Sequence, residues 1–277
     1  MAAPTQKIYV AGLDAVRIYE LNQSTGLITS SSGVNSGIKV GGPVSFAYEI
    51  PAPESIAHPG NNGVRQRTSL PSIEAANGTM DVSRTDAATI ALLSNTKVRQ
   101  FGDVNSIGWA TNQQGSEPNV MLVAYNRGKD NGGSAIVSTY VFPQATIIPG
   151  SKGKSREQSS HVYTVQPQIC KTHPTGLAFI AGTDGFTTAE YIEYQSNHRL
   201  TFAAWVATSA QTAFDFDTEL PFVTGSGSIT VTVDGVLKTY TTDYTADANG
   251  ITFGTGLTAD AIVRVMYEFA DAAVDFD

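Results

Sequence analysis

The sequence predicts a mainly β chain with one short α-helix and a small C-terminal β domain. Three observations carry that expectation. Strand-like alternation dominates the chain, a single stretch has helical patterning, and the charge composition steps sharply near residue 218. At 277 residues the chain can bury a sizeable core, as one large domain or two smaller ones.

In IKVGGPVSFAYEI, Val44, Phe46, Tyr48 and Ile50 recur at every second position, with Ser45, Ala47 and Glu49 between them. Val120, Leu122 and Ala124 repeat the pattern in NVMLVAYN, as do Leu200, Phe202 and Ala204 in RLTFAAW. A half-buried pleated surface accounts for each run. SAIVSTYVF and QATII follow one another across Pro143, which suits an edge or corner because proline cannot donate to a ladder. Three polar segments read as long loops: 51–71 with its four prolines, Asn126–Ser134, and Pro149–Ser160, the last two basic and glycine-bearing. Structureless loops of such length are uncommon in compact domains unless they bind something or are disordered.

The helix is expected over about 86–94, within TMDVSRTDAATIALLSN. Thr85 suits an N-cap, and Asp86 suits the positive end of the helix dipole. Ala87, Ala88, Ile90, Ala91, Leu92 and Leu93 leave only Asp86, Thr89 and Ser94 polar, so this helix needs cover on more than one side. Ile90, Leu92 and Leu93 are its expected packing residues. A second capping-box pattern, Thr187-Thr188-Ala189-Glu190, precedes residues that also alternate; strand is the favoured reading there.

Two domains are expected, 1–217 and 218–277. From Thr218 onward the chain carries nine of its 25 acids (Glu219, Asp234, Asp243, Asp247, Asp260, Glu268, Asp271, Asp275 and Asp277) but two of its 17 bases, Lys238 and Arg264. SAQTAFDFDTELPFVTGSGS reads as the approach and linker. Beyond it, Ile229, Val231 and Val233 alternate into Asp234-Gly235, a strong hairpin signal; Asn249-Gly250 makes a second turn into ITF, and IVRVMYEF closes the module.

Composition removes several function classes. A net charge of −8 argues against a bulk electrostatic grip on nucleic acid. Cys170 is alone, so no internal disulfide framework is possible. The opening MAAPTQKIYVAG lacks the pattern of a secretory signal, and without that route the Asn22 and Asn77 glycosylation triplets read as chance matches. No run approaches the length of a membrane-spanning helix, and no membrane insertion is expected. Cys170 and His173 lack a second ligand pair for zinc. Asp215, Asp217 and Glu219 lack the glycine and later glutamate of a calcium loop and read as a solvated strand edge or linker. Neither a nucleophile elbow nor a phosphate loop is spelled out. The expectation is a protein that is not an enzyme and holds no cofactor or metal.

Taken in order, KIYVAGLDAVRIYEL, GGPVSFAYEIPAPESIAHPGNNGVRQ and MDVSRTDAATIALLSN resemble the major tail tube proteins of long-tailed (siphovirus-like) bacteriophages, over roughly the first three quarters of the chain. The resemblance implies a tail-tube-type β-sandwich or barrel whose strands join those of neighbouring subunits in hexameric rings. These rings stack into a tube around a lumen that conducts DNA during ejection. It implies that the loop 51–71, with His58, Asn61, Asn62, Arg65 and Arg67, reaches a neighbouring subunit or ring. The implied partners are further copies of the chain, other phage tail proteins, and genomic DNA passing without specific binding. The implied location is the virion tail, after synthesis in the host cytoplasm, with the acidic module, similar to the immunoglobulin-like or other small β domains that some tail proteins carry, on the outer surface. Such an outer module favours a tail without a sheath, which it would obstruct. Basic residues Arg65, Arg67, Lys152, Lys154 and Arg156 read as solvated loops or as contacts with acidic patches of a neighbouring subunit, ahead of phosphate contacts. The alternative is a phage tail adhesin recognising cell-surface glycans, which calls for exposed aromatic clusters; Trp109 and Trp205 instead read as core residues.

Overall fold

Strand pairing organises the chain. The computed structural model describes residues 9–22, 28, 37–49, 54–60, 63–70, 77–83, 89, 93, 98–101, 104–107, 119–129, 133, 135–154, 159–167, 192–196, 198–225 and 228–270. They form a mainly β structure of several antiparallel sheets. The largest sheet uses β1 (Tyr9–Glu20), β2 (Ile38–Val40), β3 (Pro43–Glu49), β6 (Asn77–Val82), β9 (Asn119–Lys129), β10 (Ala135–Lys154), β11 (Ser159–Pro167) and β12 (Ile192–Ser196). Two hairpins stand outside it: β4 (Glu54–Gly60) with β5 (Gly63–Leu70), and β7 (Val98–Phe101) with β8 (Val104–Ile107).

The main path runs β2-β1-β9-β10-β11-β6-β3, with β12 pairing beside it on β10. Its two ends, β2 and β3, are separated in sequence only by Gly41-Gly42. Two residues cannot bridge the width of an open sheet, so the ends meet and the sheet curls into a closed barrel. Gly42 makes the corner in the left-handed region (φ 58°), where glycine carries no steric penalty. The backbone N–H and the hydroxyl of Ser83 both donate to the Gly42 carbonyl at 3.0 Å, fastening the end of β6 there. With β2 and β3 taken as one bent strand, β1, β9, β10, β11 and β6 complete a ring of even strand number, and every neighbouring pair is antiparallel.

Alternation decides what fills the barrel. Val16 lies opposite Val40 and Ala124, and Ile18 opposite Ile38 and Leu122. Val16, Ile18, Val40, Leu122 and Ala124 join Met80, Val82, Val120, Phe142, Ala145, Ile147, Tyr163 and Val165 in one buried cluster. Phe46 and Tyr48 of β3 each meet Phe142 edge-on at 5.3 Å. Leu93 belongs to the same cluster and is helical, as is Thr89 one turn earlier. Thr89, expected on the polar side, is buried; residues four apart share one helix face, so it follows Leu93 inward. Ile90 and Leu92 lie outside the described residues.

The outer wall over β1, β9 and β10 is also covered. Ala15, Tyr19, Met121, Val123, Tyr125 and Val141 point opposite to the barrel filling and join a second cluster with the C-terminal residues. β9 is therefore buried on both faces, and Met121, Val123 and Tyr125 are as enclosed as Val120, Leu122 and Ala124. This replaces the half-buried surface expected for NVMLVAYN. Pro143 sits where the β9–β10 register shifts, between Phe142 and Ala145, as its missing donor requires.

The C-terminal sandwich begins earlier than residue 218. Its four-stranded sheet has the order β13-β19-β15-β16, from β13 (Arg199–Val206), β15 (Ile229–Val233), β16 (Val236–Leu237) and β19 (Ile262–Phe269). Its three-stranded sheet is β14-β18-β17, from β14 (Gln211–Asp215), β17 (Tyr244–Asp247) and β18 (Gly250–Leu257). Two strands upstream of 218 thus hydrogen-bond to strands downstream of it, Arg199 of β13 opposite Phe269 and Asp215 of β14 opposite Gly250. The segment expected as a linker supplies β14 and buries Phe214, Phe216, Leu220 and Phe222. Phe216 stacks on Tyr267 at 4.1 Å and 18°, and Trp205 lies 5.7 Å from Phe214. The acidic step at 218 marks a change in surface charge and not a break in hydrogen bonding. The first turn is as expected: Asp234 and Gly235 both have positive φ (51° and 80°), the geometry of a two-residue hairpin loop matched to strand twist. The second turn falls one residue early, on Ala248-Asn249, with Asp247 paired to Gly250. Gly250 is required as a strand residue, because a Cβ there would lie 2.4 Å from the Phe214 carbonyl oxygen.

Candidate functional site: hairpin arms and the seam beneath the sandwich

The segment 51–71, expected as a structureless loop, contains the β4–β5 hairpin. Its register runs from Glu54 opposite Leu70 to Gly60 opposite Gly63, leaving a two-residue connection at 61–62. The arm is inserted at the end of the β3–β6 ladder, whose last pair is Glu49 with Asn77. Strands of this length span roughly 25 Å. Among the described residues β4 and β5 ladder only with each other. Of the expected assembly residues, His58 lies opposite Gln66 and Arg67 opposite Ala57. Arg65 falls within the register shift between His58 and Pro59, as the extra residue of a bulge. Asn61 and Asn62 lie outside the described residues. Asn61-Asn62 between two glycines is turn chemistry in the sequence, whereas the polar flanks carry no apolar alternation to mark them as strands.

The other two expected loops are hairpin ends. Asn126–Lys129 completes β9, where Lys129 pairs with Ala135. Lys152 and Lys154 extend β10 opposite His161 and Ser159. Arg156 lies outside the described residues. The two basic hairpin ends therefore sit at opposite ends of β10.

Beneath the sandwich lies a polar seam that the sequence did not flag, because its members stand singly inside apolar runs. Asp14 of β1 receives Arg127 of β9 at 3.2 Å and forms a closer ion pair with Arg199 of β13. Arg199 is 3% exposed and also lies over the Tyr125 ring, 5.4 Å from its centroid. The Tyr125 hydroxyl donates to the Leu200 carbonyl at 2.5 Å. The Tyr19 hydroxyl shares a hydrogen with the Thr201 hydroxyl at 2.6 Å and accepts the Phe202 N–H at 3.4 Å. Arg17 sits over Phe269, 5.8 Å from the ring centroid. Glu268, also buried, accepts from the Ser196 hydroxyl and from the Ser228 N–H at 3.0 Å.

Burial governs the phenols. It raises Tyr19, more strongly raises Tyr125 and Tyr267, and pushes Tyr244 up to about 12. Protonated at neutral pH, the Tyr19, Tyr125 and Tyr267 hydroxyls fasten strands by hydrogen bonding to Thr201, Leu200 and Leu220. The Asp215, Asp217 and Glu219 run serves a local purpose: Asp215 is exposed on β14, and an Asp217 carboxylate oxygen accepts the Glu219 N–H at 2.9 Å. Among the described residues, no group of three His, Cys, Asp or Glu could hold a metal ion, and no helix is long and apolar enough to cross a membrane. Trp205 is in the core, whereas Trp109, Cys170 and His173 lie outside the described residues. No protein-family model matches this chain, and no curated protein matches it.

Proposed function

We propose that the chain is a structural subunit of a bacteriophage tail tube, assembling as stacked hexameric rings around a lumen that conducts DNA, with no catalytic role. The observation that carries this reading is the β4–β5 arm. A two-stranded hairpin is marginal in water by itself, and this one ladders with no other strand among the described residues. Such an arm gains stability when a neighbouring subunit covers it or pairs with its edge. Because the barrel closes within the chain, contact between subunits falls to the arms and hairpin ends rather than to open barrel edges. The basic positions Arg65, Arg67, Lys152 and Lys154 lie on those elements. The exposed acids Asp215, Glu219, Asp234, Asp243, Asp247 and Asp260 lie on the sandwich. Head-to-tail contact between copies would bring the two sets together, and heterologous contacts of this kind make rings where the rotation between copies closes.

In this reading the tail-tube-type barrel forms the wall, and the sandwich is built into each subunit instead of hanging from a tether. Negative-stain electron microscopy of the purified protein over a concentration series, with mass in solution alongside, tests it. Stacked rings or hollow tubes are expected. A monodisperse monomer at every concentration would overturn self-assembly as the function of this chain.

A further inference from the structure

We draw no further inference here: the strongest candidate, the exposed apolar patch of Val236, Leu237 and Tyr240 on and beside the outer strand β16 of the C-terminal sandwich, carries nothing because nothing in the structure shows what covers it.

Discussion

Replacing Phe216 with alanine separates a linker from a core most directly. Phe216 is 4% exposed, stacks on Tyr267 at 4.1 Å, and lies 6.3 Å from Trp205 and 6.5 Å from Phe222. Truncating a buried phenylalanine costs about 3–5 kcal/mol, from lost transfer energy and the cavity left behind. Part of that total is the stacked pair, worth about 0.5–1.5 kcal/mol beyond its buried area. For a domain of this size, each kcal/mol lowers Tm by roughly 2–4 °C, so a fall of roughly 6–20 °C is expected. Urea unfolding followed by tryptophan fluorescence measures the change, since Trp205 borders the site. Phe216→Leu keeps most of the volume and should cost less than about 1.5 kcal/mol. A residue in a solvated linker would give a change within about 0.5 kcal/mol. A loss below 1 kcal/mol for Phe216→Ala would therefore refute the placement of this segment in the sandwich core.

Three further outcomes follow from the same contacts. Asp14→Asn leaves Arg199 buried without its carboxylate, so a loss of about 3–5 kcal/mol is expected; a double-mutant cycle with Arg199→Met should show strong coupling, and additive losses would dismiss the ion pair. Cutting the chain at Thr218 strips β19 from β13 and β18 from β14, so the fragment should aggregate or lose strand signal in circular dichroism, whereas a soluble fragment with an intact barrel would show the two parts to be separable. At alkaline pH, Tyr244 holds its proton more tightly folded than unfolded, because its pKa is raised from 10 to about 12. Its contribution to stability is complete below pH 10 and disappears as pH rises towards 12. Denaturant midpoints measured from pH 9 to 12 should fall over that window, and the fall should shrink in Tyr244→Phe.

How much could be seen beforehand differs from residue to residue. Val44, Phe46 and Tyr48 alternate in sequence, and their segment is a strand, because period two is written into consecutive residues. Asp234-Gly235 turned as expected because both residues tolerate positive φ. Leu93 was found as a packing residue because its neighbours are apolar. Phe214 and Phe216 also alternate with Asp215 and Asp217, yet the surrounding threonines, glycines and serines have the composition of a linker. The seam was hidden for a different reason. Asp14 and Arg199 are 185 residues apart, and nothing local to either one marks the other.

Chain-local chemistry thus determined the β class, the strand alternation and the first C-terminal turn, since each depends on residues within a few positions of one another. The folded structure decided which face of each strand is inside, that both faces of β9 are covered, and that β13 belongs with β19. It also decided that Gly41-Gly42 joins the two ends of one sheet into a barrel. Those outcomes depend on hydrogen bonds and apolar contacts between distant segments. Their free energy belongs to the pair, so no single stretch of sequence displays it.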